Sequence, residues 1–394
     1  MKSRFPRATV LAVLVALAPA PPLLAATAVD DVLATVEGGS LELGLSQLTA
    51  NDELDPGTAV QSVSPPAEGT LACVEDHCTY TPPPGFSGTD RFSYTLGDGA
   101  GPQATAEVRI QVSPLIQPVV GDWNGDGVTD LGWFQGLFLD LFFLELPSAD
   151  ETGGPTLAGY GCDRPAVPPD RTGWIPIAGD WFGNDGRSEI GIFDPVRREY
   201  LLYARAGDGG PWVVARRFRH PTPGQGGLPV AGNWDDDPED ETGLFLPDEH
   251  RFLLLTANRG DAQVLDITLT DLPAGDWAPV AGDWGADGWR PDRVGVWDAE
   301  ARVLRLRDAN TSGPTEVVDE IYDEGPGLLP FSGRWGHPVS IGFYDPAREG
   351  GRAQFVLYPC DFDPTCPEPV VGGRQPILRP PPEDPVITPC AGGR

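Results

Sequence analysis

The sequence predicts an all-β protein, a β-sandwich followed by a β-propeller. Three observations carry that prediction. Fifty Gly and 44 Pro in 394 residues interrupt helices along the whole chain and favour short strands joined by turns. Residues 29–113 alternate apolar and polar positions in short runs, as half-buried strands do. From Pro118 onward a Trp-bearing segment returns at intervals of 50 to 58 residues, the signature of a repeat architecture. Apolar residues make up 40% of the chain, enough to bury real cores rather than leave it disordered.

Taken in order, the chain opens on a segment with the character of a secretory signal, residues 1–28. Lys2, Arg4 and Arg7 give it a positive start, and Val10 to Ala18 is an apolar run. Ala26-Thr27-Ala28 supplies small residues for cleavage, so the mature chain is expected to begin at Val29. Pro19, Pro21 and Pro22 cut the apolar run short of the ~20 residues a membrane span needs, and no later stretch is long and apolar enough. The protein is therefore expected to be secreted or held at the cell surface, with no membrane span once the signal is removed.

The formal net charge is −31. Such acidity argues against nucleic acid or anionic lipid as partner and suits divalent cations. Lys2 is the one lysine, which excludes Schiff-base and lysine-base chemistry from the exported part. All six Cys follow the signal, and an even count in an oxidising compartment suggests disulfides. Sequence proximity suggests Cys73–Cys78 and Cys360–Cys366, leaving Cys162–Cys390. No C-x2-C pair is present, which argues against a thiolate metal site.

Within residues 29–113, Phe92, Tyr94 and Leu96 share one strand face, as do Ala106, Val108, Ile110 and Val112. Cys73 and Cys78 flank a turn from Val74 to His77, which fits a cross-strand disulfide in a hairpin. About 85 residues of such strands make a sandwich of immunoglobulin size. Asp30-Asp31, Asn51-Asp52, Asp55-Pro56-Gly57, Gly69-Thr70 and the stretch from Thr79 to Gly101 resemble the bacterial immunoglobulin-like (Ig-like), cadherin-like modules of surface proteins. The resemblance implies a spacer or adhesive unit. The Cys pair departs from it, and one copy stands here alone. Asp30, Asn51, Asp52, Asp90 and Asp98 could hold an ion, although caps and turns also use such residues.

Pro114 to Pro118 reads as a linker, and residues 114–368 as five repeats. PVVG at 118–121 returns as PIAG at 176–179, PVAG at 229–232 and 279–282, and PFSG at 330–333, each followed by a Trp: Trp123, Trp181, Trp234, Trp284 and Trp335. Strand signals come four to a repeat, the unit of a propeller blade. One small sheet cannot bury both faces, so neighbours must stack and the ring must close. An open solenoid or a string of hairpins is the competing arrangement. The repeated Trp are expected to pack between blades. Residues 369–394 read as a truncated repeat start and a Pro-rich extended tail.

The turn after the first Trp carries chemistry. Asp122, Asn124 and Asp126 alternate, Gly127 permits a sharp bend, and the Val128 carbonyl and Asp130 complete an oxygen set. A hard cation wants six to eight such oxygens, so Ca²⁺ is the expected cofactor, with affinity on the order of 10⁻⁴ to 10⁻³ M. Asp and Asn also cap tight turns through their own hydrogen bonds, and that alternative stands beside the ion. GDWNGDGVTDLGWF resembles the calcium loops of integrin-α-type FG-GAP or VCBS propeller repeats. The resemblance carries over to Asn233, Asp235, Asp237, the Glu239 carbonyl and Glu241, with Pro238 in place of the turn Gly. The second repeat departs, with Phe182 at a ligand position and an extra residue before Glu189. The fourth keeps Asp283, Asp287 and Asp292 in a longer loop, and the fifth has lost the set.

No catalytic constellation accompanies these turns. His77, His220, His250 and His337 form no H-E-x-x-H pair, and the sequence contains no G-x-S-x-G elbow, P-loop or dinucleotide fingerprint. Arg259-Gly260-Asp261 spells an adhesive tripeptide, a triplet that chance also produces. The expected function is non-enzymatic adhesion to a protein or glycan on a surface, with calcium-stabilised propeller loops. The alternative is a carbohydrate-binding or glycoside-hydrolysing propeller working through paired carboxylates.

Overall fold

In a computed structural model of the chain, the described residues are 26–99, 101–135, 141–144, 173–183, 185–206, 212–235, 237–282, 291–315, 317–320, 328–333, 340–345, 354–358 and 377–379. The apolar run at Val10 to Ala18, and Cys162, Cys360, Cys366 and Cys390, lie outside them. Among the described residues no helix is long and apolar enough to cross a membrane.

Seven strands build the N-terminal module: β1 (Asp31–Val36), β2 (Leu41–Gly44), β3 (Ala59–Val63), β4 (Thr70–Val74), β5 (His77–Thr81), β6 (Gly88–Gly97) and β7 (Pro102–Ser113). They form an Ig-like sandwich of one sheet ordered β1-β7-β6-β3 and one ordered β2-β5-β4. Strand β1 joins β7 in parallel, and the long β6–β7 hairpin is antiparallel. Phe92, Tyr94, Leu96, Ala106, Val108, Ile110 and Val112 all point into the shared core, because alternate residues of a strand face one side. Cys73 and Cys78 are bonded. Their hairpin is tighter than the sequence suggests: Val74 pairs with His77, so Glu75 and Asp76 alone turn the chain, Glu75 at φ 56°.

The expected linker is shorter as well. Strand β8 (Ile116–Gly121) already includes Pro118, and continues into β9 (Asp130–Gln135) and β10 (Leu141–Leu144), a sheet ordered β10-β9-β8. A Pro fits there because β8 is an edge strand, where one N–H is dispensable. Four further sheets follow, each a simple four-stranded meander. The second comprises β11 (Ile175–Gly179), β12 (Glu189–Asp194), β13 (Glu199–Arg205) and β14 (Trp212–Arg219). The third comprises β15 (Leu228–Gly232), β16 (Glu241–Leu246), β17 (Arg251–Leu255) and β18 (Val264–Thr268). The fourth is β19 (Trp277–Gly282), β20 (Arg293–Asp298), β21 (Val303–Leu306) and β22 (Val317–Glu320). The fifth is β23 (Leu329–Gly333), β24 (Ser340–Asp345), β25 (Gln354–Tyr358) and β26 (Ile377–Arg379). The tail read as merely extended therefore supplies the last strand of the fifth sheet, paired with β25.

The second and third strands of these sheets are nearly continuous apolar runs, as a sheet covered on both faces requires. Separate apolar cores fill the gaps between the first and second sheets, the second and third, the third and fourth and the fourth and fifth. The first strands lie side by side in the order β8, β11, β15, β19, β23, and β23 also lies beside β8.

The sandwich rests on the second and third sheets. Val32 N donates to Gln225 Oε1 at 2.8 Å. Asp248 accepts from Arg91 Nη2 at 3.1 Å and Arg109 Nη1 at 2.9 Å. Ahead of β1, Thr27 exchanges backbone hydrogen bonds with Glu53 at 3.0 and 3.1 Å, and Ala26 is buried. Two residues before the expected cleavage point thus belong to the sandwich.

Candidate metal centre

Each acidic turn is assembled from the end of one strand and the start of the next. Strand β8 ends at Gly121, β11 at Gly179 and β15 at Gly232, and each is followed by an Asp or Asn and then a buried Trp. Trp123 shares a core with Phe134 of its own sheet and Ile190 and Leu201 of the next. Trp181 joins Phe193 to Leu244 and Leu253, and Trp234 joins Phe245 to Val294 and Val296. The Trp is thus a wedge between successive sheets, and it fixes where the turn begins.

The acid that opens the second strand points back to this wedge. Trp123 N donates to Asp130 Oδ2 at 3.0 Å, Trp181 N to Glu189 Oε2 at 3.0 Å, and Trp234 N to Glu241 Oε2 at 3.2 Å. The residue before each Trp is tied to the neighbouring sheet by a reciprocal pair of bonds. Asp122 N donates to Ser188 Oγ at 2.9 Å, while Ser188 N donates to Asp122 O at 2.7 Å. Asp180 N donates to Asp240 Oδ2 at 2.7 Å, and Asp240 N to Asp180 O at 2.8 Å. Asn233 N donates to Asp292 Oδ2 at 3.0 Å, and Asp292 N to Asn233 O at 2.6 Å.

In the first turn the side chains hold backbone. Asp122 Oδ1 accepts from Gly125 N at 2.6 Å and Asp126 N at 3.2 Å, and its Oδ2 accepts from Gly127 N at 2.7 Å. Asn124 Oδ1 takes Asp126 N, and Asp126 Oδ1 takes Val128 N, both at 2.8 Å. Asp130 is buried at the foot of the turn.

In the third turn Asp235, Asp237 and Glu241 bring one ligand oxygen each to within 4.8 Å of the others. Asn233 Nδ2 donates to the Asp237 carbonyl. The Glu239 carboxylate is instead gripped by Arg216 at 2.7 and 2.9 Å, and that bonding holds it below the usual range. In the second turn Asp180, Asp185 and Glu189 meet the same 4.8 Å limit. Little in the residue order signals this, since the turn has an inserted residue and Phe182 at a ligand position. Gly183 at φ 57° and Gly186 at φ 73° absorb the extra residue, and Phe182 turns out to lie under the Arg216 guanidinium. Residues 283–290, with Asp283 and Asp287 of the fourth turn, lie outside the described residues. So do residues 334–339 of the fifth.

The electrostatics follow from crowding. Glu189 and Glu241 are each pushed up to about 8, first by burial and then by neighbouring carboxylates, Asp240 among them in both cases. Asp240 therefore stands between the two clusters while it latches the sheets. Gathered carboxylate oxygens with raised proton affinity are what a hard, oxygen-preferring cation would displace protons from.

Two further contacts were not anticipated. Asn258 Nδ2 donates to Asp240 O at 2.7 Å and Asn310 Nδ2 donates to Asp292 O at 2.6 Å. The signal was present in the sequence as an Ala-Asn pair after the third strand of the third and fourth repeats. In the Arg-Gly-Asp triplet, Arg259 Nε pairs with Asp261 Oδ1 at 3.1 Å, so its two charges face each other.

In the sandwich, Asp90 is a turn anchor. It accepts from Ala67 N, Glu68 N, Gly69 N, Arg91 N and the Tyr80 hydroxyl. Burial opposes its charge, yet the bonds from Gly69, Tyr80 and the others hold it below the usual carboxylate range. Asp30 Oδ1 accepts from Glu107 N at 2.9 Å. Asp52 accepts from the Tyr94 hydroxyl at 2.8 and 2.9 Å.

A family model described as "Bacterial Ig domain" matches residues 20–111. No curated protein matches the chain.

Proposed function

We propose that the chain is an exported, non-enzymatic binding protein of a bacterial surface or its surroundings. In this reading the Ig-like module carries a five-bladed β-propeller, and Ca²⁺ in the acidic turns fixes the loops that meet a protein or glycan partner. The observation that carries the reading is the gathering of Asp180, Asp185 and Glu189 in one turn and of Asp235, Asp237 and Glu241 in the next. Both turns gather their acids beside Asp240, and a divalent cation would offset the repulsion that helps raise Glu189 and Glu241. Support for a ring comes from the neighbour order of the first strands, which returns from β23 to β8. Support for a surface role comes from the Ig match, since such modules are frequent on exported surface proteins.

The ion does no chemistry here. It neutralises carboxylates, locks the turn, and adds stability because it binds the folded chain and not the unfolded one. At ten to a hundred times its dissociation constant each ion contributes about 1.4 to 2.7 kcal/mol. Thermal melts in chelator and in millimolar calcium test this: the midpoint should rise with calcium, and an unchanged midpoint removes the metal from the account. Cysteines placed along β8 and β23 should cross-link within one chain if the ring is closed. Turnover of any polysaccharide by the purified chain would overturn the non-enzymatic assignment.

A further inference from the structure

Asn124-Gly125 is the one Asn-Gly step in the chain, and Asp126-Gly127 follows it directly. Such steps are chemically labile. The backbone nitrogen that follows an Asn or Asp can attack the side-chain carbonyl carbon and close a five-membered ring. A Gly in second place has no Cβ to hinder the approach, and Asn counts among the thermolabile residues. Here both steps lie on the surface. Residues 125–128 are exposed, and Gly125 and Gly127 take φ of 80° and 82°. Nothing lies within 4 Å of where a Gly127 side chain would start.

The turn spends its hydrogen bonds on the atoms that would react. Gly125 N, the nucleophile for Asn124, donates to Asp122 Oδ1 at 2.6 Å, and Gly127 N, the nucleophile for Asp126, donates to Asp122 Oδ2 at 2.7 Å. One carboxylate therefore holds both. The Asn124 and Asp126 side-chain oxygens face the residue beyond, accepting from Asp126 N and Val128 N at 2.8 Å. Asp122 is itself anchored through its backbone to Ser188 of the second sheet. The second turn repeats the arrangement. Asp180 accepts from Gly183 N at 2.7 Å and from the Gly186 backbone, and Asp185 Oδ1 accepts from Arg187 N at 3.1 Å, so the Asp185-Gly186 step is held in the same way. The third turn has Asn233 in place of the holding Asp. There the labile Gly is replaced by Pro238, whose nitrogen carries no proton to lose.

We infer that Asn124 is a self-modification site, and that Asp122 keeps it intact by holding the Gly125 and Gly127 nitrogens. When the turn opens, Gly125 N forms a bond to Asn124 Cγ. Its proton leaves with the side-chain nitrogen as ammonia, and a succinimide results. Water then opens the ring at one of its two carbonyls. Opening at Cγ gives aspartate. Opening at the former backbone carbonyl gives isoaspartate, which carries the chain through the side chain and lengthens the backbone by one methylene. The reaction needs water alone, with no oxidant, reductant or second enzyme. The added length breaks the spacing that lets residue 124 accept from Asp126 N, so the product loosens the turn that ties the first sheet to Ser188. The inference does not rest on an ion in the turns.

The test incubates the full chain at mildly alkaline pH in chelator, which keeps any ion out of the result, both native and in denaturant. Peptide mapping by mass spectrometry follows the exchange of ammonia for water at residue 124 and separates isoaspartate from aspartate. The denatured chain should convert about tenfold or more faster than the native one, the scale on which a hydrogen bond to a charged group holds a turn shut. Asp122→Asn leaves one carbonyl oxygen for two N–H groups and should bring the native rate close to the denatured one. Ser188→Ala loosens the latch but keeps the carboxylate, and should accelerate conversion much less. Equal acceleration by the two variants would make the protection a matter of stability at large and overturn the role of Asp122. Equal rates in native and denatured wild type overturn it as well, whether or not Asp122→Asn folds. Slower conversion in Asp122→Asn also overturns it, since the carboxylate would then act as a base rather than a hold. No conversion in the denatured chain removes the site itself.

Discussion

A methyl group added at Gly179 would stand 2.7 Å from the Trp181 ring and 3.0 Å from Asp240 Cβ. Gly121 is crowded in the same way by Ser188 and Trp123, and Gly232 by Trp234 and Asp292. The Gly that closes each PxxG segment is thus dictated by two neighbours, its own repeat's Trp and the next repeat's latch residue. Gly179→Ala should cost about 1–3 kcal/mol by overpacking, and Trp181→Ala about 3–5 kcal/mol by opening the gap between sheets; denaturant melts of both variants check the ranking. The Trp was legible as an inter-sheet wedge from its spacing alone. The reason for the Gly was not, because the atoms that forbid a side chain belong partly to residues about 60 positions away. His220 was legible only as a lone histidine. Its ring is buried, accepts from Thr222 N and faces Leu253 O, and burial pulls its pKa down to about 4.

At the scale of the turn and its flanking strands, charge decides behaviour. Glu189 and Glu241 hold protons up to about pH 8 in the folded chain, whereas the ordinary value is 4.5. Between those limits the folded state binds more protons than the unfolded one, so stability should fall as pH rises. His220 works in the opposite sense, and its contribution is lost as pH falls from 6.5 towards 4. The window from pH 6.5 to 8 therefore isolates the carboxylates, with Asp31 adding to the same slope up to about 7. Melts across that window should slope downward in chelator and flatten in calcium, and Glu241→Gln should reduce the slope in chelator. The latch makes a separate prediction. Asp240→Ala strands the Asp180 N–H and should cost about 1–3 kcal/mol, while Asp240→Ser, the residue type found at 188, should recover most of it. The alternation of acids in the first and third turns was visible in the sequence. Convergence in the second was not, since it depends on two left-handed glycines absorbing an insertion.

For the molecule as a whole, the sandwich is not a bead on a string. Asp248 bridges Arg91 and Arg109 across the junction, and Arg198 stiffens the loop that Gln225 belongs to. The buried Arg198 guanidinium donates to the carbonyls of Pro223, Gln225 and Gly226. The ion pairs are half-exposed, so each is worth at most about 1 kcal/mol and is screened by salt. Asp248→Asn combined with Gln225→Ala should leave the melting midpoint nearly unchanged but increase the relative motion of the two parts, read as a broader distance distribution between spin labels on each. Raising the salt on the wild type should move it in the same direction; insensitivity to both would show the junction to be held by something else.

The all-β class, the inward faces of the β6–β7 hairpin, the Cys73–Cys78 pair and the period of the Trp-bearing repeats are legible in the order of residues. Those are local properties: turn chemistry, side-chain alternation and spacing leave their mark residue by residue. The assembled fold settled that the tail supplies β26, that Ser188, Asp240 and Asp292 latch neighbouring sheets, and that five donors converge on Asp90. Those outcomes depend on which distant segments meet, and a carboxylate reads the same in a sequence whether its neighbours bring it protons or leave it bare.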